Sequence, residues 1–514
     1  MKYISNRILG LLMLTTLLAC EPEKDFLAKV NPNQITTEIF FKTESDAVSA
    51  VNAAYSPLQS GYLYHNSYFN MHDVGIEMLP NSNMPGGWHI STYSYDATHQ
   101  TVRNVWRGYY QIIGRANYAL QNIAVMENLD ENLKQTLLGQ AYFLRGYAYF
   151  ELGFHYGRVP IILELPDNSE DAGVPRSETE LEVYQQAIDD LNEAIDRLPV
   201  AYDDPFDVGR ATRGAAVGVL GKLYLYMASP GVGLDSDGYQ KAATQFARLV
   251  EGGEFSYALV DDYLDNFTWF NENNQESLFE IQYTDGFGTN PFGWADHDRL
   301  SNTEGTNRAR TFGYLTWFNA YMNPTFVDRF QDEDPRLRYT AYGPPTPANP
   351  DPITIFDGVE YDREDWVARK YGRYDYIPAS QENGDSPINF RVLRFADVLL
   401  MYAEALNEQG SSPQAIALIN QVRSRPTVDM PALSTALSQA ETREAIRNER
   451  LWEFGLEQKR RKDALRWGAE FAEQEFDVAG IEAFDYGIHR YLPIPQEEID
   501  FNQSLTEADQ NPGY

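Results

Sequence analysis

Helical periodicity dominates both ends of this 514-residue chain and constrains its fold more than any other feature. Apolar and small side chains recur there at steps of three and four, the spacing that brings them to one face of an α-helix. Proline cannot continue a helix, so Pro199 indicates where one of these stretches ends. The pattern predicts helices at residues 47–58, 102–123, 182–198 and 211–227, with another beginning near Asn132.

One arrangement of side chains occurs more than once. Ala187, Leu191, Ala194 and Pro199 fall at offsets 0, 4, 7 and 12. These are the offsets of the small, large and small residues and the closing proline in the second helix of a tetratricopeptide repeat, where small residues let paired helices approach. Two further copies, the first of them partial, contain Ala242, Phe246 and Leu249, and Ala403, Gly410, Ala415, Ile419 and Val422. Three copies favour a repeat scaffold over generic helix pairing, and long insertions separate them.

The region from about 254 to 389 is different in kind. It is rich in Asn, Asp, Gly, Pro and Tyr, with a β-like run at 277–283 and a predicted helix at 312–330 that Asn323-Pro324 interrupts. Long loops are usually functional or disordered, and aromatic richness argues against disorder. We interpret this region as a loop-rich, ligand-side insertion in a single domain spanning 20–514, whose helical scaffold covers about 40–250 and 391–470.

The charge balance and the cysteine count exclude several classes of function. Lys and Arg number 41 against 75 Asp and Glu, a net charge of −34. A nucleic-acid-binding surface needs excess positive charge, and polyanionic ligands are disfavoured unless a local basic pocket overrides the net field. A single cysteine excludes an intrachain disulfide and any cysteine-rich metal site.

The first twenty residues predict the compartment. Lys2 and Arg7 precede a short apolar stretch, which is typical of a signal peptide and too short to span a bilayer comfortably. The stretch ends in Leu-Leu-Ala-Cys, so the cysteine at position 20 lies where a bacterial lipobox would place it. We predict that residues 1–19 are removed and that Cys20 becomes a lipid anchor. The alternative is a plain secretory signal with a chance cysteine.

No catalytic motif is found in the sequence. There is no H-E-x-x-H pair for zinc and no G-x-S-x-G elbow. The stretch Gly218–Lys222 lacks the first glycine of a phosphate-binding loop, and Leu223 replaces its magnesium-binding hydroxyl. The sequence therefore predicts no catalytic residue, no metal and no cofactor, which favours a binding protein over an enzyme.

Several long motifs resemble the SusD/RagB family. They include Y-F-L-R-G-Y-A-Y-F at 142–150, H-Y-G-R-V-P at 155–160 and the continuous stretch 391–408. Glu449-Arg450, Glu453-Phe454, residues 459–468, Y-L-P-I-P at 491–495 and the closing Q-N-P-G-Y follow in the family's order. The resemblance covers nearly the whole mature chain.

The resemblance implies a mainly α fold of about four tetratricopeptide-like helix pairs with an irregular remainder. It also implies a cell-surface lipoprotein of the Gram-negative outer membrane that binds oligosaccharides or polysaccharides. Such proteins deliver substrate to a SusC-like TonB-dependent transporter. The acidic charge favours a neutral glycan. Two alternatives remain: a tetratricopeptide-type protein-interaction scaffold and a binder of a non-glycan nutrient.

A sugar-binding platform needs exposed aromatic faces with polar partners beside them. In the family, such aromatics come from an early loop and from the middle insertion, which makes the correspondence regional. We therefore predict that Trp88, Trp294 and Trp317 contact the glycan. The accompanying candidates are Asp73, Asn83, Tyr93 and Tyr95. Trp106, Trp452 and Trp467 lie on predicted helices and are expected in the core, and Arg394, Asp397, Glu449 and Arg450 are expected to form structural ion pairs.

Overall fold

The structure is a computed structural model, and it describes residues 41–80, 87–165, 173–283, 321–347, 349–354, 359–372 and 387–514. Within these residues the protein is mainly α-helical, as predicted. The α-helices are α1 Glu44–Tyr55, α2 Ser67–His72, α3 Gly87–Ser91, α4 Gln100–Ala124, α5 Glu131–Tyr156, α6 Glu180–Arg197, α7 Arg213–Ala228, α8 Gly238–Val250, α9 Pro324–Val327, α10 Arg336–Thr340, α11 Phe395–Glu408, α12 Ser412–Arg423, α13 Gln439–Phe454, α14 Arg460–Arg466, α15 Ala469–Val478, α16 Tyr486–His489 and α17 Gln496–Phe501. The strands are β1 Ser277–Ile281, β2 Ala341–Tyr342, β3 Val367–Ala368 and β4 Phe390–Arg394.

Eight of these helices form four packed pairs: α1 with α4, α5 with α6, α7 with α8, and α11 with α12. Each pair also contacts the next, so the four pairs form one continuous scaffold. The repeat positions read from the sequence lie in its core: Ala187, Leu191 and Ala194 on α6, and Ala242 and Phe246 on α8, are fully buried. The predicted helix-pair architecture is confirmed.

Local sequence explains where the scaffold helices begin and how closely they pack. The side chains of Asp130, Thr179 and Thr212 accept hydrogen bonds from backbone N–H groups in the first turns of α5, α6 and α7, which satisfies donors that a helix start leaves free. Gly221 on α7 faces Phe246, and a Cβ there would lie 2.7 Å from the phenylalanine ring. A glycine opposite a large residue is thus what brings α7 and α8 together.

The described residues of the middle region contribute small sheets rather than further helix pairs. β1 pairs antiparallel with β4, and β2 pairs antiparallel with β3. The strand predicted at 277–283 is confirmed. The described part of the helix predicted at 312–330 is helical only over Pro324–Val327, directly after the predicted interruption. The prediction is wrong for Tyr321 and Met322, which form single bridges to Val367 and Met78. Backbone pairing with two other segments replaces the helical hydrogen bonds there.

A buried ionic network joins the middle region to the scaffold's C-terminal helices. Arg394, at the end of β4, donates to Glu276 at 2.7 Å, to Glu453 at 2.7 Å and to Glu457 at 2.8 Å. Arg425 contacts two of the same carboxylates. All of these side chains are buried. Asp397 pairs with Arg450 at 2.8 Å, and Glu449 pairs with two other buried arginines, so the predicted structural ion pairs are confirmed.

Candidate functional site

Three backbone segments meet at one point, which we call the junction and define as residues 73–79, 321–323 and 455–458. Leu79 N–H donates to Tyr321 O at 2.9 Å, and Asn323 N–H donates to Glu77 O at 2.8 Å. The Asn323 amide also donates to Gly75 O at 3.1 Å. Hydrogen bonds therefore join residues 73–79, which precede Trp88 in the chain, to residues 321–323, which directly follow the stretch 284–320.

Two buried carboxylates attach the third segment to the junction. Glu77 accepts from Leu456 N–H and Asp73 accepts from Gln458 N–H, both at 2.8 Å. Leu456 and Gln458 have φ angles of 62° and 61°, an uncommon conformation for these residue types that such bonds help to hold. Burial and the neighbouring Asp73 raise the pKa of Glu77 well above its usual range. Asp73 is fully buried, so its predicted contact with a glycan is corrected to a structural role.

Trp88 lies on the surface beside the junction. It occupies the short helix α3, and 40% of the residue is exposed. Its carbonyl accepts from the hydroxyls of Ser91 and Thr92 at 3.0 and 2.8 Å and from the Thr92 N–H at 3.0 Å. These bonds fix the backbone of a turn that presents an indole ring to solvent, which is the geometry expected of a sugar platform.

Tyr93 and Tyr95 follow in the same turn, but their rings point into the core. They are 6% and 8% exposed. The Tyr93 ring lies 5.0 Å from each of Phe476, Phe484 and His489. Its hydroxyl accepts from Arg461 Nε at 2.9 Å. The expected exposure of both tyrosines is therefore wrong: Tyr93 holds the Trp88 turn against the core, and Tyr95 packs beside it on Tyr514.

Other sequence predictions fall outside the described residues or concern the core. Cys20, Asn83, Trp294 and Trp317 lie outside the described residues, so their roles stay predictions. Tyr321, four positions after Trp317, is the nearest described residue to it. The tryptophans expected in the core are buried, namely Trp106, Trp452 and Trp467.

Sequence reasoning missed an exposed aromatic pair elsewhere on the surface. Trp269 and Phe270 are 49% and 62% exposed, with ring centroids 6.2 Å apart. Asn273, three positions after Phe270, belongs to an amide cluster in which Asn273 and Asn389 each donate to Gln282 Oε1 at 2.9 Å. An aromatic pair followed directly by Asn, Glu, Asn and Asn was the available signal.

Among the described residues, no group of three or more His, Cys, Asp or Glu side chains is arranged to hold a metal ion. Nor, in the ranges that the structure covers, is any helix both long and apolar enough to cross a bilayer.

Two family models match this chain. One, described as the SusD family, matches residues 275–514. The other, described as starch-binding associating with outer membrane, matches residues 25–225. Among curated proteins, a SusD-like protein of Formosa agariphila is 27% identical over 539 aligned positions, covering 99% of each chain. The matched stretches include the scaffold helices except α8 and the end of α7.

Solved structures share the fold along nearly the whole chain. A SusD superfamily protein from Bacteroides vulgatus superposes with a TM-score of 0.76 at 22% identity, covering 92% of this chain and all of that one. A structure described as a laminarin binding SusD-like protein gives a TM-score of 0.71 at 25% identity, with 92% and 100% covered.

Proposed function

We propose that this chain, which belongs to the SusD family, binds oligosaccharides at the outer membrane without turning them over. A laminarin-binding relative and a family description that names starch and the outer membrane support a glycan ligand. The observation that carries the proposal is the solvent-facing Trp88 on a turn fixed beside the junction.

The physical chemistry of sugars fits this surface. A pyranose ring offers an apolar face of C–H groups that packs on an exposed indole, while its hydroxyls need polar partners at the edge. The junction brings the backbone beside Trp88 next to the end of the stretch that contains Trp294 and Trp317. We therefore retain all three tryptophans as the proposed contacts and assign Asp73, Tyr93 and Tyr95 to their support.

Calorimetry with a laminarin oligosaccharide tests the site. Trp88→Ala, Trp294→Ala and Trp317→Ala should each weaken binding by about 1–2 kcal/mol, or roughly tenfold, wherever the ring stacks on sugar. Phe501→Ala is a matched control, because Phe501 is exposed on α17. Unchanged affinity in all three tryptophan variants, with an unchanged circular dichroism spectrum, would show that the site is misplaced. A loss for Trp269→Ala alone would move it to the Trp269–Phe270 surface.

We further propose that Cys20 carries a lipid that holds the protein to the outer membrane, facing the exterior. The short apolar leader that ends at this cysteine supports the anchor. Cys20→Ala should release the protein from the outer-membrane fraction, as followed by immunoblotting of fractionated cells. Protease added to intact cells should degrade the wild-type protein. Firm membrane association of the variant would contradict the anchor.

Delivery of the glycan to a SusC-like transporter completes the proposal. It is supported by the family resemblance, since a helical scaffold by itself identifies no partner. Mild-detergent extraction of native membranes should recover the two proteins together. Recovery of this chain alone, with the neighbouring transporter expressed, would contradict it. A pure protein-interaction scaffold would instead show no retention in a gel that contains polysaccharide.

A further inference from the structure

A cavity adjoins helix α15, which also packs against the Trp88 turn. It has a volume of about 590 Å³ and is bounded by residues of α13, α14 and α15 together with Arg329. Phe476 on α15 contacts the Tyr93 ring at 5.0 Å, while its neighbour Glu475 lines the cavity. The volume falls within the range of small-molecule sites. Helix α15 thus borders both the Trp88 turn and this cavity.

Arginines and aromatic rings form the walls of the cavity. The Arg447 guanidinium lies 4.5 Å from the ring centre of Phe471 and 5.3 Å from that of Trp467. Arg460 covers the same two rings at 5.3 and 5.7 Å. A guanidinium stacked on a ring keeps its N–H groups in one plane and available to acceptors at its edge. The arginines therefore offer hydrogen-bond donors to this cavity, which the carboxylates of Glu444, Glu470 and Glu475 also line.

The arginines of the cavity differ in how many of their N–H groups already donate hydrogen bonds within the protein. Arg460 donates twice to Glu475, at 2.7 and 2.6 Å, and Arg329 donates to the same carboxylate at 2.6 Å. Burial raises the pKa of Glu475, but the two arginines outweigh it and hold the pKa at about 2. Two positive charges thus share one buried negative charge.

Arg447 is held more loosely. Its Nη1 donates to Glu444 at 2.6 Å, and the Glu444 side chain is 58% exposed. Its Nε is buried without a hydrogen-bond partner among the described residues. A buried donor without an acceptor is unfavourable, and an exposed ion pair contributes little. An incoming carboxylate could therefore replace Glu444 on Arg447 and satisfy the unpaired Nε as well.

We propose that this cavity is a subsite for a carboxylate-bearing sugar, namely a uronic acid residue of the bound glycan, with Arg447 as its recognition group. The inference rests on the proposed glycan-binding function and deepens it. A planar carboxylate matches the edge of a guanidinium bidentately. Asn448 and Gln474 line the same cavity and offer amides to hydroxyls. Three arginines and three glutamates line the cavity in a chain of net charge −34, so the specific donor is the Arg447 guanidinium rather than a net positive field.

Calorimetry with cellobiouronic acid, and with cellobiose as its neutral counterpart, tests the subsite on the full-length soluble protein. The uronic acid should bind more tightly, and the preference should shrink as salt concentration rises. Arg447→Gln should weaken binding of the uronic acid by about tenfold to a hundredfold and leave cellobiose unchanged. Glu444→Gln should strengthen it by up to about fivefold, because the competing carboxylate is gone. Arg443→Gln is the matched control on α13, since Arg443 pairs with Glu408 instead.

Equal binding of the acidic and neutral disaccharides would overturn the inference, as would an unchanged affinity in both Arg447→Gln and Glu444→Gln. Tighter binding of a glucose sulfate ester than of the uronic acid would also overturn the assignment to a carboxylate. The proposed function is tested separately by laminarin oligosaccharide and Trp88→Ala. If Trp88→Ala loses affinity for the laminarin oligosaccharide but the wild type shows no preference for cellobiouronic acid over cellobiose, the proposed glycan-binding function stands and only the uronic acid subsite is removed.

Discussion

The helix-pair scaffold and the junction are held together by different kinds of interaction. In the scaffold, small and large apolar residues complement each other, as Gly221 and Phe246 do between α7 and α8. At the junction, buried carboxylates and backbone groups bind one another across segments distant in sequence, as Asp73 and Gln458 do. Apolar packing tolerates volume-conserving substitution, whereas a buried polar network is costly once one member is missing. We therefore expect point changes near the junction to be the more damaging.

The largest effect should come from the ionic network beside the junction. Arg394→Met removes the cation that contacts all three of Glu276, Glu453 and Glu457, and breaking a buried ion pair from one side costs about 3–5 kcal/mol. Arg425 still contacts Glu276 and Glu453 in the variant. Urea unfolding should show this loss of stability. Arg443→Met, which removes a partly exposed pair, should change stability by no more than about 1 kcal/mol. An equal loss of stability in Arg394→Met and Arg443→Met would contradict the expectation that changes in the buried network near the junction are the more damaging.

Tyr93→Phe should have the next largest effect. The Arg461 Nε would lose its acceptor while buried, at a cost of about 1–3 kcal/mol. Because the turn also carries Trp88, affinity for the laminarin oligosaccharide should fall as well, measured by calorimetry alongside thermal unfolding. Tyr402→Phe is the scaffold control: its hydroxyl bonds to Glu251, far from Trp88 in sequence. A drop in glycan affinity for both variants would argue against a specific positioning role.

Gly221→Ala should be milder. The new methyl group would lie 2.7 Å from the Phe246 ring, and overpacking of about 1–3 kcal/mol outweighs the gain of roughly 0.5–1 kcal/mol from replacing a helical glycine. The expected net loss of stability is about 1 kcal/mol, measurable by urea unfolding. Gly114→Ala on α4 has open space around it and should be stabilising. If Gly221→Ala and Gly114→Ala both stabilise the protein, helices α7 and α8 can move apart to accommodate the new methyl group without loss of stability.

The smallest effect concerns the pH dependence of stability near Trp269. Burial raises the pKa of Glu272 from its ordinary value of 4.5 to about 7. The folded protein therefore loses stability as the pH rises from the unfolded-state pKa to the folded-state pKa. Glu272→Gln removes the ionisation. Relative to the wild type, this variant should gain stability on going from pH 5 to pH 8 in urea unfolding. Glu127→Gln, at an exposed position, should show no such gain.

Local patterns predicted the scaffold because its contacts repeat at short, regular spacing. Ala187, Leu191 and Ala194 could be read as core residues from their offsets alone. The burial of Tyr93 could not, because its partner Arg461 lies 368 residues away in sequence. The solvent exposure expected of a glycan contact is found for Trp88 and fails for Tyr93 and Tyr95, which are buried. Asp73 failed for the same reason, since the backbone group that it binds belongs to a distant turn.

The backbone bridge between Met78 and Met322, with the bond from Leu79 to Tyr321, also bears on how such a protein can be re-engineered. Residues 81–86 and 284–320 both adjoin this one anchoring point. A transplant of one stretch alone from a relative would leave a foreign segment and a native segment connected to the same bond. Exchanging the two as a cassette, cut at Leu79 and Tyr321, keeps the anchoring bond native. We expect paired grafts to transfer sugar preference where single grafts fail.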